Sequence, residues 1–248
     1  MRVPRSLARF IPVIGLIAVL LMVAAAPAGA QNFRAGYNAY LRGDFATALK
    51  EWEPLAQQGY AQAQTNLGTM YSHAKGVSRN YPLAAFWYRK AAAQGSKRSM
   101  YNLGVAYEFG RGVEQNDTIA LNWYRQAALQ NLVEAMNAMA WLFATSPDDN
   151  LRDGRQAIRW AEQALTRRAN SKHLGTLAAA YAETGEFPKA VAAVERAINE
   201  LDRELYKTRV AHTERDLFLL VRRVGRTDEA TLLLERLEFY RSGQPIRD

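Results

Sequence analysis

Leu67-Gly68-Thr69-Met70-Tyr71 and Leu103-Gly104-Val105-Ala106-Tyr107 lie 36 residues apart. The same shift lays Gly76-Val77 on Gly112-Val113, Trp87-Tyr88-Arg89 on Trp123-Tyr124-Arg125, and Ala91-Ala92 on Ala127-Ala128. One shift that matches two Trp-Tyr pairs marks an internal repeat, and a period of this size belongs to stacked supersecondary units. The register continues in both directions. Met139-Ala140 and Phe143 answer Leu103-Gly104 and Tyr107, Gly59 answers Gly95, and Ala48 answers Ala84. A last unit runs from Ser171 to Ile198, with Leu174, Leu177, Ala178 and Tyr181 ahead of Gly185, Phe187, Ala190 and Ala197.

Each unit reads as a helical hairpin. In the second unit the spacing of Leu67 and Tyr71 predicts a first helix over 61–72. Leu83, Trp87 and Ala91, at four-residue steps, predict a second over 82–94. Pro82 suits a first helical turn, where the amide it lacks would have no intrahelical partner. Gly95 suits the position just past a helix end, where positive φ is common. Position eight of the units is always small: Gly36, Gly68, Gly104, Ala140, Ala178. The second helix carries Ala48, Ala84, Ala120, Ala157 and Ala190, which the register sets opposite those residues. Small residues on both sides let the helices approach closely, and Trp52, Tyr88 and Tyr124, four residues further on, fill the space around the contact. The separation between the two small positions is 12 residues in the first and last units and 16 or 17 between, so the middle hairpins carry the longer loop.

The units at 61–95 and 97–131 resemble Sel1-like repeats: a Leu-Gly-x-x-Tyr helix, a Gly-containing loop, then a Trp-Tyr-x-x-Ala-Ala helix. The unit at 171–204 resembles a tetratricopeptide repeat, the same hairpin with a shorter loop, and the opening unit from Leu41 to Gly59 shares that shorter form. The stretch from Ala144 to Arg155 is similar to a loop of some bacterial tetratricopeptide proteins. The resemblance implies an all-α, right-handed α-solenoid over 31–200. Ala74 stands where the Sel1-like loop has a Gly, which the next unit keeps as Gly110, so the loop at 72–76 is expected to be distorted. Beyond Leu201 the repeat fades. Residues 202–224 and 227–240 read as two closing helices, followed by a frayed tail, because a terminal repeat must show water a polar face.

The first thirty residues read as a targeting segment. Arg2, Arg5 and Arg9 precede an apolar stretch from Phe10 to Ala26, and Ala28-Gly29-Ala30 offers small residues for cleavage. The alternative is an uncleaved anchor, but Pro12 and Gly15 interrupt a stretch already short for a span. Cleavage predicts a mature chain starting at Gln31, located in the periplasm of a Gram-negative bacterium or secreted, with no membrane attachment. Cysteine is absent, which excludes both a lipid-modified N-terminal cysteine and disulfides. Removing the segment lowers the formal net charge from +8 to about +5, with both signs mixed along the chain, and a nucleic-acid partner is not expected.

No constellation of catalytic residues stands out. His73, His173 and His212 fall in different units without ligand-spaced neighbours, so no metal or other cofactor is expected. Ser72-His73-Ala74-Lys75 fits the Ser-x-x-Lys nucleophile motif loosely, but its companion Ser-Asp-Asn and Lys-Thr-Gly motifs are missing. A cell-wall or β-lactam hydrolase using Ser72 and Lys75 is therefore kept only as the alternative. Asp148-Asp149-Asn150 with Asp153 lacks the spacing of a calcium loop and reads as a polar hairpin loop, with Asp153 capping the next helix.

What remains is a surface. In stacked hairpins the first helices line the inside of the curve. By the family's groove positions, Tyr37 and Tyr40 lead the line, followed by Thr65 and Thr69, Tyr101 and Val105, Asn137 and Trp141, then Lys172. Arg98 and Glu134 stand at the entrances of their helices. Aromatic rings beside polar groups suit a groove for a protein or peptide partner. The alternative for Tyr37, Tyr101 and Trp141 is packing between repeats. The resemblance implies a non-catalytic scaffold or adaptor, in a family whose roles include envelope signalling and assembly.

Overall fold

A computed structural model of the chain describes residues 28–210, 235–236 and 238–243. Among the described residues the helices run in order: α1 Ala28–Leu41, α2 Phe45–Gln57, α3 Ala61–His73, α4 Tyr81–Ala93, α5 Lys97–Glu108, α6 Asp117–Leu129, α7 Val133–Thr145, α8 Gly154–Arg167, α9 Ser171–Glu183 and α10 Phe187–Val210. The described residues contain no strand. Each helix packs on the next, and α7 also packs on α9, so the hairpins stack into an α-solenoid. The expected targeting segment lies outside the described residues except for Ala28, Gly29 and Ala30, which open α1.

The helix starts are written in side chains. Asp44, Asn80, Asn116 and Asp153 stand just before α2, α4, α6 and α8, and each side-chain oxygen accepts a bond from an amide three residues on. These caps satisfy first-turn donors that have no intrahelical partner. The three middle loops close alike: the backbone amides of Asn80, Asn116 and Asp153 donate to Tyr71, Tyr107 and Phe143 carbonyls at 2.9–3.0 Å. The expected distortion at 72–76 is absent. Ala74 adopts the left-handed backbone, φ +52°, matching Gly110 at φ +61°, so the loop keeps its shape and the alanine Cβ carries the strain.

The small residue at position eight meets a ring rather than the alanine expected opposite it. A Cβ at Gly36, Gly68 or Gly104 would lie 2.4–2.5 Å from Trp52, Tyr88 or Tyr124 respectively. The ring sits where the glycine leaves space, one turn beyond the fully buried Ala48, Ala84 or Ala120. Where position eight is alanine, its partner shrinks. Ala140 packs in one cluster with Ala161, and Ala178 in another with Val194, all wholly buried. Glycine with a ring and alanine with an aliphatic residue are two ways of filling the same gap at interior density.

The helix that closes the last unit, α10, continues past residue 200 to Val210. Residues 211–234, which include His212 and most of the two expected closing helices, lie outside the described residues. Further on, Tyr240 is buried against the cluster of Leu174, Ala178, Ala190 and Leu201. Arg241 pairs with Glu195 at 3.2 Å. The C-terminal segment therefore packs on the last hairpin.

Candidate functional site

The first helices of three successive hairpins, α5, α7 and α9, line a concavity of about 520 Å³. Tyr101 and Val105 come from α5, Glu134, Asn137 and Trp141 from α7, and Lys172 from α9. Six residues expected in the groove thus share one wall. Glu108, Phe109 and Arg236 complete the polar and apolar mixture, and their positions gave no signal in the repeat pattern. Arg236 comes from the C-terminal segment, and its guanidinium lies 4.6 Å from the centre of the Trp141 ring, a cation–π distance.

The lining of this concavity includes a buried amide. Asn137 is 4% exposed, and its Oδ1 meets no hydrogen-bond partner among the described residues. A buried acceptor left unmet costs about 1–3 kcal/mol, and a bound donor would recover it. Tyr101 packs on a neighbouring ring and also borders the cavity. Its ring lies tilted by 39° against that of Tyr124, with centroids 5.6 Å apart. Tyr124 is wholly buried and donates its hydroxyl to Glu108 Oε2. Burial first, and then the Glu108 carboxylate, hold the Tyr124 phenol far above its usual range.

Other expected groove residues stand elsewhere. Thr65 is buried in the seam between units, where its Oγ1 lies 2.8 Å from Ser99 Oγ and 3.1 Å from Ser96 Oγ. Thr69 donates to the Thr65 carbonyl and accepts a long bond, 3.4 Å, from the Tyr88 hydroxyl. Tyr40 packs its ring against Phe45 and Trp52, so it belongs to the core of the first hairpin. Tyr37 is 47% exposed and Arg98 is exposed, neither of them in the concavity. Glu134 also forms an exposed ion pair with Arg168 at 3.6 Å.

A second, smaller hollow of about 180 Å³ adjoins the first, sharing Tyr101 and Val105 as walls. Ser72, Tyr88, Asn102 and Arg111 also line it. Ser72 and Lys75 do not form a nucleophile–base pair. Lys75 Nζ sits 5.6 Å above the Phe45 ring, toward the first hairpin, and is not among the residues lining this hollow. Asp148 Oδ1 accepts from the backbone and side-chain nitrogens of Asn150, both at 2.9 Å, which closes a local turn. Among the described residues no three His, Asp or Glu side chains are grouped to hold a metal ion. His173 is buried with Nδ1 2.6 Å from the Arg168 carbonyl, and burial lowers its pKa. No helix of the described residues is long and apolar enough to cross a membrane.

The sequence profile of the Sel1 repeat matches residues 61–96, 97–132 and 133–167. The fold is similar to that of the Sel1 repeat protein from Oxalobacter formigenes, at 26% identity and TM-score 0.55, over 66% of this chain and 68% of that one. It is also similar, at 24% identity and TM-score 0.39 over 71% of this chain and 49% of the other, to a protective antigen of uropathogenic Escherichia coli strains displaying an SLR fold. Comparison with curated proteins gives no match. Sel1 repeat arrays are generally protein-interaction scaffolds. Residues 61–167 thus match the Sel1 repeat three times in succession, within a longer run of helical hairpins.

Proposed function

We propose that the chain is an exported, non-catalytic scaffold of the bacterial envelope that holds an extended segment of a partner protein along α5, α7 and α9. The observation that carries this reading is the buried Asn137 amide, which borders a 520 Å³ concavity with its carbonyl oxygen unmatched. A peptide backbone brings both donors and acceptors to such an amide, while Tyr101 and Trp141 offer apolar area on either side. The basic start and Ala28-Gly29-Ala30 support export, which N-terminal sequencing of chain recovered from a Gram-negative periplasm tests: Gln31 is the expected first residue.

The groove is tested by capturing partners from an envelope extract, then measuring affinity and melting temperature together. Trp141→Ala should weaken the partner by about 2 kcal/mol, roughly 30-fold in Kd, while the melt moves little. Tyr101→Ala should cost both affinity and stability, because one face of its ring packs on Tyr124. Unchanged affinity in folded Trp141→Ala would remove the groove from consideration.

A further inference from the structure

We infer that the smaller hollow between the second and third hairpins is a carboxylate-binding subsite, which takes an acidic side chain or C-terminus of the peptide held in the groove. This rests on the groove reading above and adds the chemistry of the ligand to it.

The argument comes from the repeat register. Position twelve of the hairpins, four residues after the small position, is Tyr40 in the first, Ser72 in the second and Glu108 in the third. The residue four after the second-helix alanine is Trp52, Tyr88 and Tyr124 in the same three. In the third hairpin the Tyr124 hydroxyl donates to the Glu108 carboxylate. In the first, the Tyr40 ring lies against the Trp52 ring and fills the space. In the second, the short Ser72 side chain stands beside the Tyr88 hydroxyl without filling the space, and a hollow of about 180 Å³ is left.

Tyr88 is 4% exposed, and its hydroxyl makes a long bond to Thr69, 3.4 Å, with Ser72 and Asn102 also beside it. It therefore stands beside a space that, one hairpin on, holds a carboxylate. The other walls favour the same guest. Asn102 and Ser72 bring further donors, and Arg111 brings a positive charge. The Arg111 guanidinium is held between the Tyr81 and Phe109 rings, 5.9 and 5.0 Å from their centres, so little ordering is left to do on binding. No Asp or Glu among the described residues lines this hollow, whereas Glu108 and Glu134 line the larger one. The volume suits a single acidic group with a few carbons rather than a whole ligand. Tyr101 and Val105 wall both spaces, so one chain lying across α5 reaches both. An extended chain advances about 3.3 Å per residue, so the acidic group should fall a few residues from the apolar anchor at Trp141.

The test uses 3-phenylpropionate and its neutral amide, 3-phenylpropionamide, titrated into the mature chain, with the side-chain NMR signals of Asn102 and Arg111 as readout. The acid should shift both signals to saturation in the millimolar range, and the amide should not. Ser72→Glu supplies the carboxylate from within, as Glu108 does in the next hairpin. It should abolish the response while circular dichroism shows an intact helical fold. Tyr88→Phe should weaken the acid about tenfold. Equal response to acid and amide, no response to the acid, or an undiminished response in Ser72→Glu overturns the subsite. The groove is judged separately: partner affinity that falls in Trp141→Ala but is unchanged in Ser72→Glu keeps the groove and rejects the subsite.

Discussion

Replacing Gly104 with alanine sets a methyl group 2.4 Å from Cδ1 and Cε1 of Tyr124. On an open helix the same change stabilises by about 0.5–1 kcal/mol, since glycine loses the most backbone freedom on folding. Here the ring must retreat by about 1 Å to reach ordinary contact. It has nowhere to go, because Tyr124 is 0% exposed and its hydroxyl is tied to Glu108. Overpacking of this kind costs about 1–3 kcal/mol, and loosening a bond to a charged acceptor adds about 1–2 kcal/mol. Gly104→Ala should therefore destabilise by about 1–4 kcal/mol net, a fall of roughly 2–16 °C in Tm for a chain of this size. Tyr124→Ala alone should cost about 3–5 kcal/mol as a cavity. The double variant recreates the alanine pair that Ala140 and Ala161 already form, so the methyl regains its helix preference without a clash. Its cost should fall short of the sum by about 1.5–3 kcal/mol. Urea unfolding followed by both circular dichroism and tryptophan fluorescence measures all four corners of the cycle. A Gly104→Ala variant as stable as the parent, or coupling below about 0.5 kcal/mol, would refute the ring-in-glycine account of the hairpins.

Ala74→Gly should raise stability by about 0.5–1 kcal/mol, because removing the Cβ relieves about 1–2 kcal/mol of left-handed strain against a smaller entropic loss; an unchanged or lower Tm counts against it. Asn116→Ala removes the acceptor for the Ile119 amide and should cost about 1 kcal/mol, read by the same melts. Burial depresses the pKa of His173 below its usual 6.5, so the folded state binds that proton less readily than the unfolded one. Its contribution should be complete above pH 6.5 and decline as the pH falls from there through the lowered value, and His173→Gln should flatten that part of the stability–pH curve.

The solenoid was legible because it rests on local repetition. Caps, loop glycines and small positions recur at 36 residues in the middle hairpins and close to it in the others, and each acts within its own hairpin. What the pattern hid was which side chain meets the glycine. Periodicity identifies a face, and the contact is with a ring one turn further along that face, which only the relative height of two helices decides. Thr65 was misplaced for a similar reason. It has the register of Tyr101 and Asn137, 36 and 72 residues before them, but Ser96 and Ser99 draw its short hydroxyl into the seam. Ala74 misled in the opposite sense, since the surrounding loop bonds hold an unfavourable backbone that residue type alone argues against. Arg236 on Trp141 had no local signal, as the two residues are 95 positions apart and outside each other's repeat.

The glycine sockets bear on how such a chain can grow. Gly68 and its ring Tyr88 lie within one hairpin, as do Gly104 and Tyr124. A duplicated 36-residue cassette cut at Gly95 or Asn131 therefore brings wedge and socket together, and the new copy fills its own interior without any adjustment in its neighbours. A recombination point between Gly104 and Tyr124 instead joins a socket from one parent to a wedge from another, and a ring delivered opposite an alanine such as Ala140 has no room. Copying at the turns is thus the route by which the array gains length at once, while exchange inside a hairpin demands two compensating changes before the product folds.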